Sequence, residues 1–444
     1  MYGTYFAVFN YSFLLSILLD FGINNFNNRA ISRDKKRMGE YLLNLMLVKG
    51  GLSILYFVLT FLSALITGFD ELQLKMLFFL AANQILLSAI LYFRSNIAAL
   101  QLFKTDSIIS TLDRLLAIVF CLALLYLPVF KHSFNIMWFI YVQTAALLIT
   151  AIIAFAVILG KSKIELNIWK GKFTKMILLK SAPFAMLALL MGVYYRIDAV
   201  MIQFMLPNGK EETGIYAASF RLLDAANQFG YLFATLLLPM FAGMIRRNEG
   251  MKHLVKFSSE LLFVIAFIIA ADCYFFRNEM MHLMYNNATE YWSQIFGWLM
   301  CTFIPMSSIY VFGTLLTAKG NLKVLNFIAL GGMLLNISLN LFLIPRYGAL
   351  GATIATLITQ FLAALAHIIA ANNAFGFEYE GKDLLKMSGF AVTSCVVLFL
   401  TKMTPIDWRL NLVLASALCC LVAAGTRLVP VSELLSLIRP QSTS

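Results

Sequence analysis

About thirteen apolar stretches, each of roughly 20 residues or more and so able to cross a 30 Å hydrocarbon core as a helix, follow one another almost without pause from Tyr2 to Val429. They fall at 2–23, 41–66, 76–98, 107–130, 136–159, 181–205, 214–243, 257–276, 291–316, 324–345, 348–372, 387–404 and 410–429. Lipid offers a backbone no hydrogen bonds, so spanning segments must satisfy their amides internally, and these stretches lack the alternating pattern of barrel strands. The expected fold is all-α and polytopic. With 61% hydrophobic and 13% charged residues, little sequence remains for a soluble domain.

A formal net charge of +12 raises nucleic acid as a partner, but the placement of the bases argues against it. Alternate loops and the C-terminal tail hold 22 of the 34 Lys and Arg. The opposite loops hold seven: Lys75, Lys131, Lys210, Arg277, Arg346, Lys402 and Arg409. Such a bias is the positive-inside pattern, which puts the N-terminus of the first span outside and the C-terminus in the cytoplasm. Cys121, Cys273, Cys301, Cys395, Cys419 and Cys420 all fall inside apolar spans without CxxC spacing and read as small core hydrophobes. His132, His253, His282 and His367 are scattered, and no metal, nucleophile-elbow or phosphate-loop motif appears. Neither an enzyme nor a cofactor is expected.

One internal echo suggests duplication. Gly3-Thr4-Tyr5-Phe6-Ala7 opens the first span, and Gly214-Ile215-Tyr216-Ala217-Ala218 opens the seventh. Both enter the membrane in the same direction, as a parallel repeat requires. Span 181–205 precedes the second copy and has no counterpart before Tyr2, so the pattern reads as fourteen helices minus a missing first one. The expected organisation is an N-terminal lobe of five helices over 1–160 and a C-terminal lobe of six over 161–373. Two additional helices and a tail follow over 374–444.

The run Asn336-Ile337-Ser338-Leu339-Asn340-Leu341-Phe342-Leu343-Ile344-Pro345-Arg346-Tyr347-Gly348-Ala349-Leu350-Gly351-Ala352-Thr353-Ile354-Ala355-Thr356 resembles a signature of bacterial polysaccharide flippases. These are the Wzx-type O-antigen and capsule exporters of the multidrug/oligosaccharidyl-lipid/polysaccharide transporter superfamily. Tyr195-Arg196-Ile197-Asp198, the Gly214 opening and the Ala318-Lys319-Gly320 turn resemble that family too. The resemblance implies transfer of an undecaprenyl-diphosphate-linked oligosaccharide from the cytoplasmic to the periplasmic leaflet of the bacterial inner membrane. Association with polysaccharide polymerase machinery is also implied. Physically, Gly348, Gly351, Ala352 and Ala355 form a small-residue packing face, and Asn336 with Asn340 can hydrogen-bond as structural glue. Pro183, Pro239 and Pro305 permit bends.

Lys49, Arg94, Arg114, Arg196 and Arg221 lie within spans, where a base facing lipid costs about 2.5–3.5 kcal/mol even on the lenient insertion scale. They therefore snorkel, find partners or face a wet interior; Arg94 is near enough to a helix end to snorkel. Asp113, Asp198 and Asp224 are the charge partners in reach along the sequence. Only Arg221 and Asp224, at i and i+3, share a helical face. Structural ion pairs and a transport site both fit. Lys49 has no acid in its own helix and is the expected charge left for a substrate. Five bases against three acids give a net positive interior, suited to a diphosphate. The bases descend in order from the inner half (Lys49, Arg94, Arg114) through Arg196 to Arg221, as a relay would. A multidrug exporter of the same fold is the alternative, and it would want acids. A membrane-embedded enzyme on lipid-linked sugars would want a larger acidic loop than this chain has.

Overall fold

The computed structural model describes residues 2–21, 23–24, 27, 31, 38–100, 102–126, 135–161, 171–376, 381–426 and 428. The basic segments 32–37 and 162–170, Lys131 and the tail beyond 428 lie outside the described residues, as do the side chains of 171–185, Pro183 among them. The secondary-structure elements among the described residues are all helices, joined by short turns and loops. In chain order the helices are α1 Tyr2–Leu14, α2 Met38–Ile66, α3 Glu71–Ala99, α4 Phe103–Tyr126, α5 Ile136–Leu159, α6 Gly171–Met205, α7 Gly209–Arg247 and α8 Lys252–Phe275. They continue with α9 Arg277–Met284, α10 Glu290–Cys301, α11 Phe303–Lys319, α12 Leu322–Tyr347, α13 Ala349–Phe375, α14 Gly381–Lys402 and α15 Trp408–Gly425. Among the described residues, eleven helices are long and apolar enough to cross a membrane by length and composition.

Two expected spans are broken. The stretch 2–23 is α1 followed by a 3₁₀ turn at Ser16–Leu19, not one helix. The Tyr56 hydroxyl donates to the Ser12 carbonyl at 2.6 Å, and Ser12 and Ser16 turn their hydroxyls back on the Phe9 and Phe13 carbonyls. Side-chain donors that occupy helical carbonyls in this way weaken the i→i−4 ladder. The stretch 291–316 divides into α10 and α11 at Thr302. Pro305 has no N–H to give the Cys301 carbonyl, and the Thr302 hydroxyl takes the Leu299 carbonyl at 2.6 Å.

The chain divides into two compact units, Met1–Gln203 and Phe204–Ser444. The sequence grouped span 181–205 with the second lobe; here nearly all of α6 belongs to the first unit. Val200 of α6 is buried with Tyr5, Val8 and Tyr11 of α1 and with Met76, Leu77 and Leu80 of α3. In this first unit α3 is the central helix, in contact with α1, α2, α4 and α5. Its first turn is fixed by a capping box in which the Asp70 carboxylate accepts from the Gln73 amide at 2.8 Å and the Gln73 side chain accepts from Asp70.

In the second unit α11 packs against α7, α8 and α13, and α14 with α15 pack on α8. The tight joint between α12 and α13 is made by Gly348 at φ +61, a left-handed conformation that favours glycine. A Cβ at Gly348 would sit 2.6 Å from Glu212 Oε2 and 2.8 Å from the Tyr291 hydroxyl. That Glu212 oxygen accepts from the Tyr291 hydroxyl at 2.7 Å and from the Ala349 amide, the first of α13, at 2.8 Å. One carboxylate thereby ties α7, α10 and the start of α13, with its charge at a helix N-terminus where the dipole favours it. Gly351 faces the Leu343 carbonyl so closely that a methyl group would collide with backbone.

Gly351→Ala should lower the stability of the second unit by about 1–3 kcal/mol, the usual range for overpacking. Gly332→Ala, with nothing within 4 Å of its Cβ position, should change it by no more than about 0.5 kcal/mol. Thermal unfolding of the detergent-purified protein, compared across the two variants, reads this difference.

Candidate functional site

The broken first span sets the charges of the first unit. After the 3₁₀ turn, Phe21 adopts φ +47, and the carboxylate of Asp20 lies 3.1 Å from the Lys49 ammonium on α2. Asp20 Oδ1 also accepts from the Asn24 amide at 3.2 Å, and the Tyr92 ring lies 5.7 Å from Lys49 Nζ. Lys49, which has no acid in its own helix, is paired with one from the segment that follows α1. Arg94 on α3 is held in bidentate fashion by Asp106 in the first turn of α4, with Nε to Oδ1 at 2.7 Å and Nη2 to Oδ2 at 3.3 Å. Such fork geometry is the strong form of an Arg–carboxylate pair. Sequence spacing offered neither Asp20 nor Asp106 as a partner, because each lies on a separate segment.

Arg196 on α6 donates from Nη1 to Asn10 Oδ1 at 3.1 Å and stacks against Phe13 and Phe9, with its guanidinium carbon 5.1 Å and 5.9 Å from the ring centres. Asp198 is buried at 3% exposure. Lys49, Arg94 and Arg196 are thus engaged with α1, the turn after it and α4, and they brace the first unit. In the second unit, Arg221 is exposed on α7 and Asp224 is half-buried one turn on, with Ala225 and Gln228 also exposed along the same helix. The Asn336 and Asn340 side chains, fully buried, bond to each other at 3.1 Å.

Arg114 differs from the other four. It is exposed on α4, and no polar partner contacts it among the described residues. Asp113 beside it is half-buried and points elsewhere by one helical step. α4 itself has only 6% of its apolar window buried within the structure. Lys104, Ser107, Thr111 and Arg114 recur at spacings of three, four and three, so they form one stripe, and all four are exposed. The stripe runs about 15 Å along the helix at 1.5 Å per residue. Beyond Arg114 the same face turns apolar at Ile118, Leu122 and Leu125, all exposed.

A polar stripe that ends in an Arg this far from either helix end does not suit contact with lipid, since the Arg alone would cost about 2.5–3.5 kcal/mol there. Lys104, at the helix start, can snorkel; Arg114, about 16 Å along, cannot reach so far. The stripe offers two cations, one of them a planar fork of donors, with two hydroxyls between them, which is a donor set for phosphate oxygens and sugar hydroxyls. The sequence carried this signal in the 104, 107, 111, 114 spacing, hidden because Lys104 counted as a loop base. The Ser110 and Thr111 hydroxyls donate to helical carbonyls at 2.7 Å and at 3.2 and 3.4 Å, which leaves their oxygens as acceptors.

A model of the family described as polysaccharide biosynthesis protein matches residues 1–245. The Lipid III flippase of Escherichia coli (strain K12) is 26% identical over 183 residues, which are 40% of this chain and 43% of that protein. An uncharacterized membrane protein of Methanocaldococcus jannaschii is 28% identical over 203 residues, 45% of this chain and 46% of its own. The chain thus spans less than half the length of these curated relatives in alignment. The solved structure of the Lipid II flippase MurJ in an inward closed conformation superposes with a TM-score of 0.69 at 14% identity, over 98% of each chain. An inward-facing multidrug resistance MATE family transporter of the MOP superfamily superposes at 0.68, also at 14% identity, over 84% of this chain and 89% of that one. At these identities the likeness is one of fold.

Removal of the Asp20 charge should leave Lys49 buried without its acid. Asp20→Asn is expected to cost about 3 kcal/mol, the low end for breaking a buried pair because Asp20 is 30% exposed. The double variant with Lys49→Met should recover most of the loss in the same thermal unfolding assay.

Proposed function

The chain belongs to the polysaccharide biosynthesis protein family, and from that premise we propose that it is a multi-pass transporter that flips an undecaprenyl-diphosphate-linked oligosaccharide. The direction is from the cytoplasmic to the periplasmic leaflet of a bacterial inner membrane, for O-antigen, capsule or exopolysaccharide synthesis. In this reading the C-terminus is cytoplasmic, and the loop bases on that side lie against anionic headgroups. The single observation that carries the proposal is the exposed α4 stripe from Lys104 to Arg114, with Arg114 unengaged among the described residues. A diphosphate is a ligand that an Arg fork grips in pairs, each charge-assisted bond contributing about 1.5–3 kcal/mol.

Access alternates between the two faces, and Arg114 takes the head group while the lipid tails stay in the bilayer. Arg221 on α7 is the corresponding exposed base of the second unit and is proposed as a later contact. Lys49, Arg94 and Arg196 hold the first unit in shape through Asp20, Asp106 and Asn10. An inside-negative potential assists outward movement of an anion by about 2.3 kcal/mol per charge per 100 mV. The multidrug transporter shares the fold, and what separates the two readings is the sign of the site: an organic cation would be repelled by this stripe.

Deletion of the gene should cause lipid-linked repeat units to accumulate facing the cytoplasm, and the intact gene should clear them. Arg114→Gln, present at the normal level, should lower polymer export about tenfold or more, the loss of one charge-assisted contact. Unaltered intermediates together with lost drug resistance would instead identify an exporter of organic cations.

A further inference from the structure

Three polar ties hold α14 and α15 against the α8–α9 segment, and they differ in chemistry. Lys256 on α8 pairs with Asp383 in the first turn of α14 at 2.6 Å and lies 4.0 Å from Glu260. Lys402 at the end of α14 pairs with Glu279 on α9 at 3.5 Å and donates to the Phe275 carbonyl. Each of these acids has a base. The third tie has none: Asp272 of α8 meets the Ser416 hydroxyl of α15 at 2.6 Å, and no basic side chain among the described residues pairs with it.

Asp272 is 7% exposed, and its Oδ1 is buried without a hydrogen-bond partner among the described residues. It lies in an apolar seam made by Ala271, Phe276, Leu398, Ala415 and Cys419. The Ser416 oxygen is 2.6 Å from Asp272 Oδ2 and 2.8 Å from the Leu412 carbonyl. A serine hydroxyl has one hydrogen. With an ionised Asp272, one of these two oxygen–oxygen approaches has no hydrogen between its atoms and is repulsive. A proton on Asp272 Oδ2 repairs both: the acid donates to Ser416, and Ser416 donates to Leu412. The same proton removes an uncompensated buried charge.

We infer that Asp272 is a proton-binding site, a neutral carboxylic acid within the seam between α8 and α15. The groups around it supply no competing charge. Cys273 follows it on α8, and Cys419 of α15 lies within electrostatic reach of it. Arg277 on α9 is turned to the Tyr274 carbonyl at 3.0 Å, and Lys402 is taken by Glu279. No group of three or more ligating side chains suited to a metal ion occurs among the described residues. Loss of the proton breaks the donation to Ser416 and charges the seam, so occupancy sets how α15 seats on α8.

The test is infrared difference spectroscopy of the full chain in lipid nanodiscs at about pH 5, where an ordinary aspartate is ionised. Wild type minus Asp272→Asn should contain the carbonyl stretch of a protonated carboxylic acid, lost in the variant. Ser416→Ala should keep that band and shift it, because the acid loses its acceptor. Raising the pH should convert the band to carboxylate stretches in wild type. A difference spectrum with carboxylate stretches alone, or one in which sodium rather than pH changes them, overturns the inference. If Asp272→Asn is not recovered folded, the Ser416→Ala spectrum decides, and an unshifted acid band overturns it.

Discussion

A hydrocarbon interior neither hydrogen-bonds a backbone nor solvates a charge, and the rest of this structure follows from that constraint. Every described element is a helix, and the two breaks in expected spans occur where other partners take over the freed groups. Tyr56 serves the Ser12 carbonyl at one break, and Thr302 with Pro305 marks the other. The first break has a chemical consequence, since it delivers Asp20 to Lys49. Polar groups inside the bundle are likewise met, Lys49 by an aspartate, Arg94 by a fork on Asp106, and Arg196 by Asn10 and two rings. Against that background Arg114, on an exposed stripe, and Asp272, in a buried seam, are charge-bearing groups without an oppositely charged partner among the described residues.

Much of the fold was legible because its signal is local. Apolar runs of spanning length give the helices, and their positions agree with the structure except where side-chain chemistry breaks a run. The glycines of the Asn336–Thr356 run were read with Ala352 and Ala355 as a packing face, and Gly351 does approach the Leu343 backbone. The partners of the interior charges were not legible. Asp20 and Lys49 are separated by a segment whose path no periodicity fixes, and Asp106 looked like a loop residue beside Lys104. The count of five bases against three acids therefore left out Asp20 and Asp106, which pair with Lys49 and Arg94, and also Glu260 and Asp272 of α8. Arg114 was named from the sequence, but its separateness from the other four appears only when the partners are placed.

The solved structures that share this fold include a lipid flippase and multidrug transporters at nearly equal similarity, so architecture alone does not select the cargo. Selection rests with the charge and shape of the site. The match to the flippase extends over 98% of this chain and that to the multidrug transporter over 84%. In this protein α14 and α15 are fastened to the α8–α9 segment by two ion pairs and one carboxyl–hydroxyl contact. None of the residues lining an apolar groove of about 480 Å³ between α12 and α13, with Asn321 and Asn373 among them, belongs to either charged feature.

The central claim is that the α4 stripe lines a hydrated path for a phosphorylated lipid head group. Cysteines placed one at a time at Ser107, Thr111 and Ile118, in a background without the six native cysteines, can be challenged with a membrane-impermeant maleimide from the cytoplasmic side. The account predicts rapid labelling at Ser107 and Thr111, slow labelling at Ile118, and protection of the first two by an undecaprenyl-diphosphate-linked sugar. Labelling at Thr111 as slow as at Ile118, with or without the lipid-linked sugar, would contradict it.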